Sequence, residues 1–157
     1  AHAAEALVGE AIGRRHPGML ALVVRRTNIL CGVTAVVISL AVWSSGSWIV
    51  ALLTTQPELA DMTLAYWHWV ALLAPVAFLA FQMDGIFVGA TRSREMRTAM
   101  ILAAGGFFIL VTLLGGYGLN GLLAAFTIYL GLRGVTLLVR LKHVYAMAAP
   151  EAPAAEK

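Results

Sequence analysis

An apolar run that ends in a burst of arginines, with a second apolar run following at once, leaves a chain few folds to choose from. The stretch from Phe81 to Arg97 is such a junction: Asp84 lies near the end of one apolar run, Arg92, Arg94 and Arg97 crowd together, and the next run opens at Thr98. Arginines do not enter hydrocarbon cheaply, so they mark a membrane surface where one transmembrane helix turns into the next. Asp84 comes eight residues before Arg92. At about 1.5 Å per residue it sits roughly 12 Å inside that surface. An ionisable group at such depth is costly and points to function by default.

Composition agrees. The chain is 61% hydrophobic and 12% charged, with a mean hydropathy of +0.84, whereas a soluble domain carries about twice that charge. The expected class is an all-α polytopic membrane protein. A pI near 9.4 would suit a nucleic-acid binder, but the basic residues form short clusters between apolar runs, the pattern of loops on one side of a bilayer, so the expected partner is membrane lipid and not nucleic acid. The single Cys31 lies in an apolar run and reads as a small core residue. Ala1 to Gly13 has no signal-peptide pattern and no initiator methionine. It reads as the last turns of a helix stopped by Gly13, so the chain is expected to be a piece of something longer.

In order, Met19 to Val24 reads as an interfacial approach, followed by Arg25 and Arg26. Four spans are expected, over about 27–50, 62–88, 98–114 and 122–141. Trp43 and Trp48 suit an aromatic belt at the far end of the first span. Thr55 to Asp61 reads as a turn in which Pro57 breaks the helix. Pro75, mid-span, is expected to kink the second helix and free a carbonyl that a neighbour must satisfy. Gly115 to Gly121 reads as an uncharged tight turn. Apart from Arg133 and Lys157, every Arg and Lys falls before the first span, between the second and third, or at the end of the fourth. The positive-inside rule makes that side the cytoplasm and puts the C-terminus there. Residues 148–157 are expected to form a disordered cytoplasmic tail.

Two residues stand out inside the spans. Asp84 shares a helix face with Ala77, Ala80 and Val88, where small residues leave room for water, a ligand or another helix. It reads either as a coupling or cavity group or as half of a stabilising ion pair. Arg133 lies on a stripe with Phe126, Tyr129, Thr136 and Arg140, too polar to face lipid. Both charges fall roughly 10–12 Å inside the same surface, so a pair is expected, with Tyr129 and Thr136 adding hydrogen bonds. Gln82, Gly85 and Gly89 form a second stripe, and Gly85 and Gly89 at i, i+4 favour close helix packing. Gly9 and Gly13 repeat that spacing. His68, between two Trp, reads as interfacial. No metal-ligand cluster and no nucleophile with a base is apparent, so neither a metal site, a cofactor nor an enzyme is expected.

The run Gln82-Met-Asp84-Gly85-Ile-Phe-Val-Gly89-Ala-Thr91-Arg92, then Arg94-Glu-Met96-Arg97, resembles the DinF branch of the MATE (multidrug and toxic compound extrusion) transporters. Glu5-Ala-Leu-Val-Gly9 with Ala11-Ile-Gly13, Leu52-Leu-Thr-Thr-Gln-Pro-Glu-Leu59, and Leu132-Arg133-Gly134 with Thr136-Leu137 resemble further stretches of that branch in the right order. The resemblance implies the end of helix eight through helix twelve of a two-lobe, twelve-helix inner-membrane protein whose N-terminal lobe is missing here. It implies an antiporter that exports cationic or amphipathic xenobiotics against H⁺ or Na⁺. A lipid-linked precursor flippase of related fold is the alternative within transport, but it would need several basic residues lining its cavity, and Arg133 is the one inside a span. A non-transport membrane scaffold is the alternative outside it.

Overall fold

The computed structural model describes residues 2–148, which form seven α-helices, with no strand among the described residues. The expected tail beyond Ala148 lies outside them. The first helix, α1 (His2–Gly13), closes with Arg15 N–H on the Ile12 carbonyl and His16 N–H on the Ala11 carbonyl. This is the paired-bond ending that needs one left-handed residue. That residue is Arg15, at φ 49, and not Gly13.

Pro17 then opens α2 (Pro17–Ser44), which suits a proline because the first helical position has no N–H to lose. Met19 to Val24 is therefore not an interfacial approach to a later span. It is the first part of one helix running through Arg25 and Arg26, with Leu20 and Val24 buried. Arginine is a good helix former, and a long exposed side chain carries its charge clear of the apolar face. At the other end α2 stops within the expected first span. The Ser44 and Ser45 hydroxyls both donate to the Ala41 carbonyl, drawing the chain off the helical path, and α3 (Gly46–Leu53) resumes as a separate piece. The break is packed: Trp67 lies over Gly46, where any side chain would collide with the indole.

Pro57 also starts a helix rather than only ending one. It stands at the first turn of α4 (Pro57–Ala65), where Thr55 to Asp61 had read as a turn. A joint at Tyr66 separates α4 from α5 (Trp67–Gly89), so the expected second span is divided near its start. Beyond a turn in which Thr91 takes φ 55 come α6 (Ser93–Leu114), a 3-10 turn at Gly115–Tyr117, and α7 (Gly118–Met147). Among the described residues, three helical runs are long and apolar enough to cross a membrane: Pro17–Ser44, Trp67–Gly89 and Ser93–Met147. The last is folded back on itself, because Gly118 takes φ 59 and α6 lies along α7.

Helix α5 is the centre of the bundle, with α1, α2 and α7 packed on it and α6 held mainly by α7. The buried apolar cluster gathers at one end: Val8, Leu20, Val24, Met83, Ile86, Phe87, Leu137 and Val144 belong to it. This is the end with the basic turns. Close backbone approach makes it tight, since a side chain on Gly89 would run into the Glu5 carbonyl of α1 and Gly9 faces the Gly89 carbonyl in return. Gly13 has no such neighbour. The tryptophan end is held differently, by polar bonds between helices. Trp67 Nε1 donates to the Val42 carbonyl at 2.8 Å, and Trp69 Nε1 donates to Asn120 Oδ1 at 3.0 Å. Pro75 has no N–H for the Ala71 carbonyl one turn back, and Ser39 Oγ of α2 donates to that carbonyl at 2.6 Å. Large apolar side chains such as Leu30, Val37, Ile101, Phe108 and Val139 are exposed, as a hydrocarbon surround requires.

Candidate functional site

Asp84 and Arg133 stand on parallel helices, α5 and α7, that meet along small residues. Gly134 packs against Leu79 and the Ala80 backbone, and Ala80 itself is fully buried, so the two backbones come close. Arg133 thus leaves its helix about one turn from Asp84 along the bundle. Its long side chain covers the offset and places Nη2 2.7 Å from Asp84 Oδ2. The two side chains are 15% and 12% exposed, Asp84 first. A single-point contact of this kind leaves the rest of both groups unmet. Asp84 Oδ1 and Arg133 Nε are buried without a hydrogen-bond partner among the described residues. A carboxylate with one free, buried oxygen beside a guanidinium is able to receive a proton, a cation or a polar ligand without first unfolding anything.

The neighbours expected to complete this pair do other things. Thr136 Oγ1 donates to the Leu132 carbonyl of its own helix, at 2.6 Å. Tyr129 turns toward α6: its ring meets Phe107 edge-on at 5.8 Å and stacks with Phe126 at 6.1 Å. The physical reason is the angular spread of a helix face. Phe126, Tyr129 and Arg140 point at α6, where Arg140 Nη1 donates to the Glu95 carbonyl at 3.4 Å, while Arg133 reaches back toward α5. Ala77, seven residues before Asp84 on the same face of α5, lines a groove toward α2 with Cys31, Thr34, Ala35 and Phe78. Gly85 is buried, and Gly89 makes the approach to α1 described above. Gln82 is 2% exposed, and its Nε2 is another buried atom without a partner. No group of three or more His, Cys, Asp or Glu able to hold a metal occurs among the described residues.

The basic turn below the pair is clasped to the end of α7. Arg92 Nη1 pairs with Glu95 at 2.7 Å, and Arg92 Nε donates to Met147 Sδ at 3.2 Å. At the opposite end His68 stands beside Trp69, 5.3 Å between ring centres, and borders a cavity of about 330 Å³ with Trp43, Trp67 and Ser47.

Residues 1–115 match the MatE family model, about three-quarters of the chain. The chain belongs to the MatE family. A curated relative, DNA damage-inducible protein F of Escherichia coli (strain K12), is 36% identical over 137 residues. The match takes in 87% of this chain but 30% of the relative, so the chain spans under a third of that protein's length. No solved structure matches it.

Within this MatE-family chain, sequence reasoning overlooked two polar residues of the spans. Ser39 carries the carbonyl freed by Pro75, and Asn28 has a buried Oδ1 without a partner. Both were visible as polar side chains in an apolar run. Their spacing from Leu20, Val24 and Ala35 by threes and fours puts them on the buried face of α2.

Proposed function

We propose that this chain is the C-terminal-lobe part of an H⁺- or Na⁺-coupled antiporter that exports amphipathic or cationic compounds, with Asp84 as a coupling carboxylate. It would sit in the inner membrane as a multi-pass protein with its basic end and C-terminus in the cytoplasm. Membership of the MatE family supports the transport class. The observation that carries the assignment of Asp84 is its half-satisfied contact with Arg133, with Oδ1 buried and free. In a low-dielectric surround, a proton or cation arriving at Asp84 competes directly with the guanidinium for the same negative charge. Once Asp84 is neutralised, Arg133 loses its counter-charge and must find water or another acceptor. This couples an ion to the α5–α7 contact.

The test uses the full-length protein in vesicles, with efflux of a fluorescent lipophilic cation driven by an imposed H⁺ or Na⁺ gradient. Asp84→Asn should fold and insert but lose gradient-driven efflux. Full efflux by that variant would remove Asp84 from the coupling step, and absence of any gradient dependence in the unmodified protein would remove the antiporter reading. Orientation is read separately: a cysteine in the 92–97 turn should label only from the cytoplasmic side.

A further inference from the structure

The groove between α2 and α5 follows a regular antiparallel register. Val42 meets Trp67, Ser39 meets Ala71, and Gly32 meets Phe78, whose ring would stand 3.5 Å from a side chain there. Steps of three and then seven residues toward the start of α2 are matched by steps of four and then seven toward the end of α5. Four residues before Gly32 comes Asn28, and four after Phe78 comes Gln82. One step further, Val24 and Ile86 lie in one buried cluster, so the register continues past this level. Asn28 and Gln82 therefore face each other. Each has an unmet atom, and the two needs are complementary: Asn28 Oδ1 lacks a donor and Gln82 Nε2 lacks an acceptor, both buried. In a seam otherwise lined by apolar and small side chains, two orphaned amide atoms of opposite kind at one level have each other as the natural partner.

We propose that Gln82 Nε2 donates to Asn28 Oδ1, directly or through one water, and that this contact is a positioning device for Asp84. Gln82 and Asp84 are two residues apart, about 200° around the helix at 3.6 residues per turn. Fixing Gln82 against α2 thus fixes the rotation of α5 that aims Asp84 at Arg133 on the opposite side. Turning α5 to re-aim Asp84 has to break the amide contact. This positioning role rests on the reading of Asp84 as the coupling carboxylate; the contact itself does not.

Two measurements on the full-length protein separate those claims. In the first, Asn28→Cys and Gln82→Cys are combined in a Cys31→Ser background, with a protease site placed in the 54–56 link between α3 and α4, so that cleavage puts the two cysteines on different fragments. Mild oxidant should join the two halves into one band that reductant splits. Two separate fragments after oxidation, in protein that is correctly inserted, would overturn the contact whatever Asp84 does. In the second, gradient-driven efflux is compared among three variants. Asn28→Leu and Gln82→Leu should each lower the maximal rate several-fold. The reciprocal exchange Asn28→Gln with Gln82→Asn keeps both amides and their combined length, and should recover most of the rate. If the exchange performs no better than the leucine variants at equal expression, the amides do not position Asp84. If Asp84→Asn transports normally while the cross-link forms, the coupling reading fails and the contact stands.

Discussion

Removing the Ser39 hydroxyl should destabilise this bundle only while Pro75 is present. The proline leaves the Ala71 carbonyl without its helical donor, and Ser39 Oγ supplies one from the neighbouring helix at 2.6 Å. Ser39→Ala strands that acceptor in a part-buried seam. An unsatisfied buried group costs about 1–3 kcal/mol, but hydrogen bonds between membrane helices average about 0.6 and reach about 1.7, so the expected loss is about 1 kcal/mol. Pro75→Ala restores an N–H at the position that would bond Ala71. In that background the hydroxyl is redundant, and Ser39→Ala should cost at most a few tenths of a kcal/mol, so the two substitutions should couple by about 0.5–1 kcal/mol. The assay is SDS-induced unfolding of the purified full-length protein in mixed micelles, for all four corners of the cycle. Equal losses from Ser39→Ala in both backgrounds would show that the serine acts through packing and not by carrying the freed carbonyl.

The ion pair is the second test. Asp84→Asn or Arg133→Gln alone strands a charge and should lower stability by about 3 kcal/mol, and the double variant should recover part of it; three equal losses in the same unfolding assay would show no coupling. Gly89→Val drives a side chain into the Glu5 carbonyl, so α1 must lift from α5 at a cost of about 1–3 kcal/mol, read as faster amide exchange in α1 with little change in α7. Thr91 is a β-branched residue at φ 55, and Thr91→Gly should relieve about 1 kcal/mol of strain and raise the thermal midpoint; a lowered midpoint would mean that the threonine's own contacts outweigh its backbone.

Much of the fold was legible because a bilayer leaves little choice. Long apolar runs and clustered arginines define helices and turns before any packing is considered, and Asp84 and Arg133 were conspicuous as charges in the wrong solvent. Helix ends were less legible. Pro17 and Pro57 begin helices, and nothing in a sequence distinguishes a proline that ends one helix from a proline that starts the next except what lies on either side of it. The break at Ser45 depends on Trp67 covering Gly46, a contact between residues far apart in the chain. The surroundings of the pair were misjudged for a related reason. Residues at spacings of three and four share a face roughly 100° wide, and two neighbouring helices divide that face between them. Tyr129 and Arg133 belong to one stripe, yet one serves α6 and the other α5.

The division between the two ends of the bundle bears on what a change at Asp84 would do. At the basic end α1, α2, α5 and α7 share a continuous buried cluster, closed by backbone contacts at Gly9 and Gly89 and by the Arg92 clasp on Met147. Toward the tryptophan end that cluster gives way to single hydrogen bonds, to a helix without one of its own bonds at Pro75, and to open grooves between α2 and α5 and between α6 and α7. The unmet polar atoms of Asn28, Gln82, Asp84 and Arg133 lie on the three helices where one regime passes into the other. Interiors packed to full density resist deformation, whereas segments with few buried apolar contacts open at low free energy. A charge neutralised at this boundary pushes against a stiff base on one side and a yielding half on the other. The displacement therefore appears in the yielding half. Under the proposed coupling role of Asp84, the border between the packed base and the hydrogen-bonded half is where its carboxylate has the most leverage.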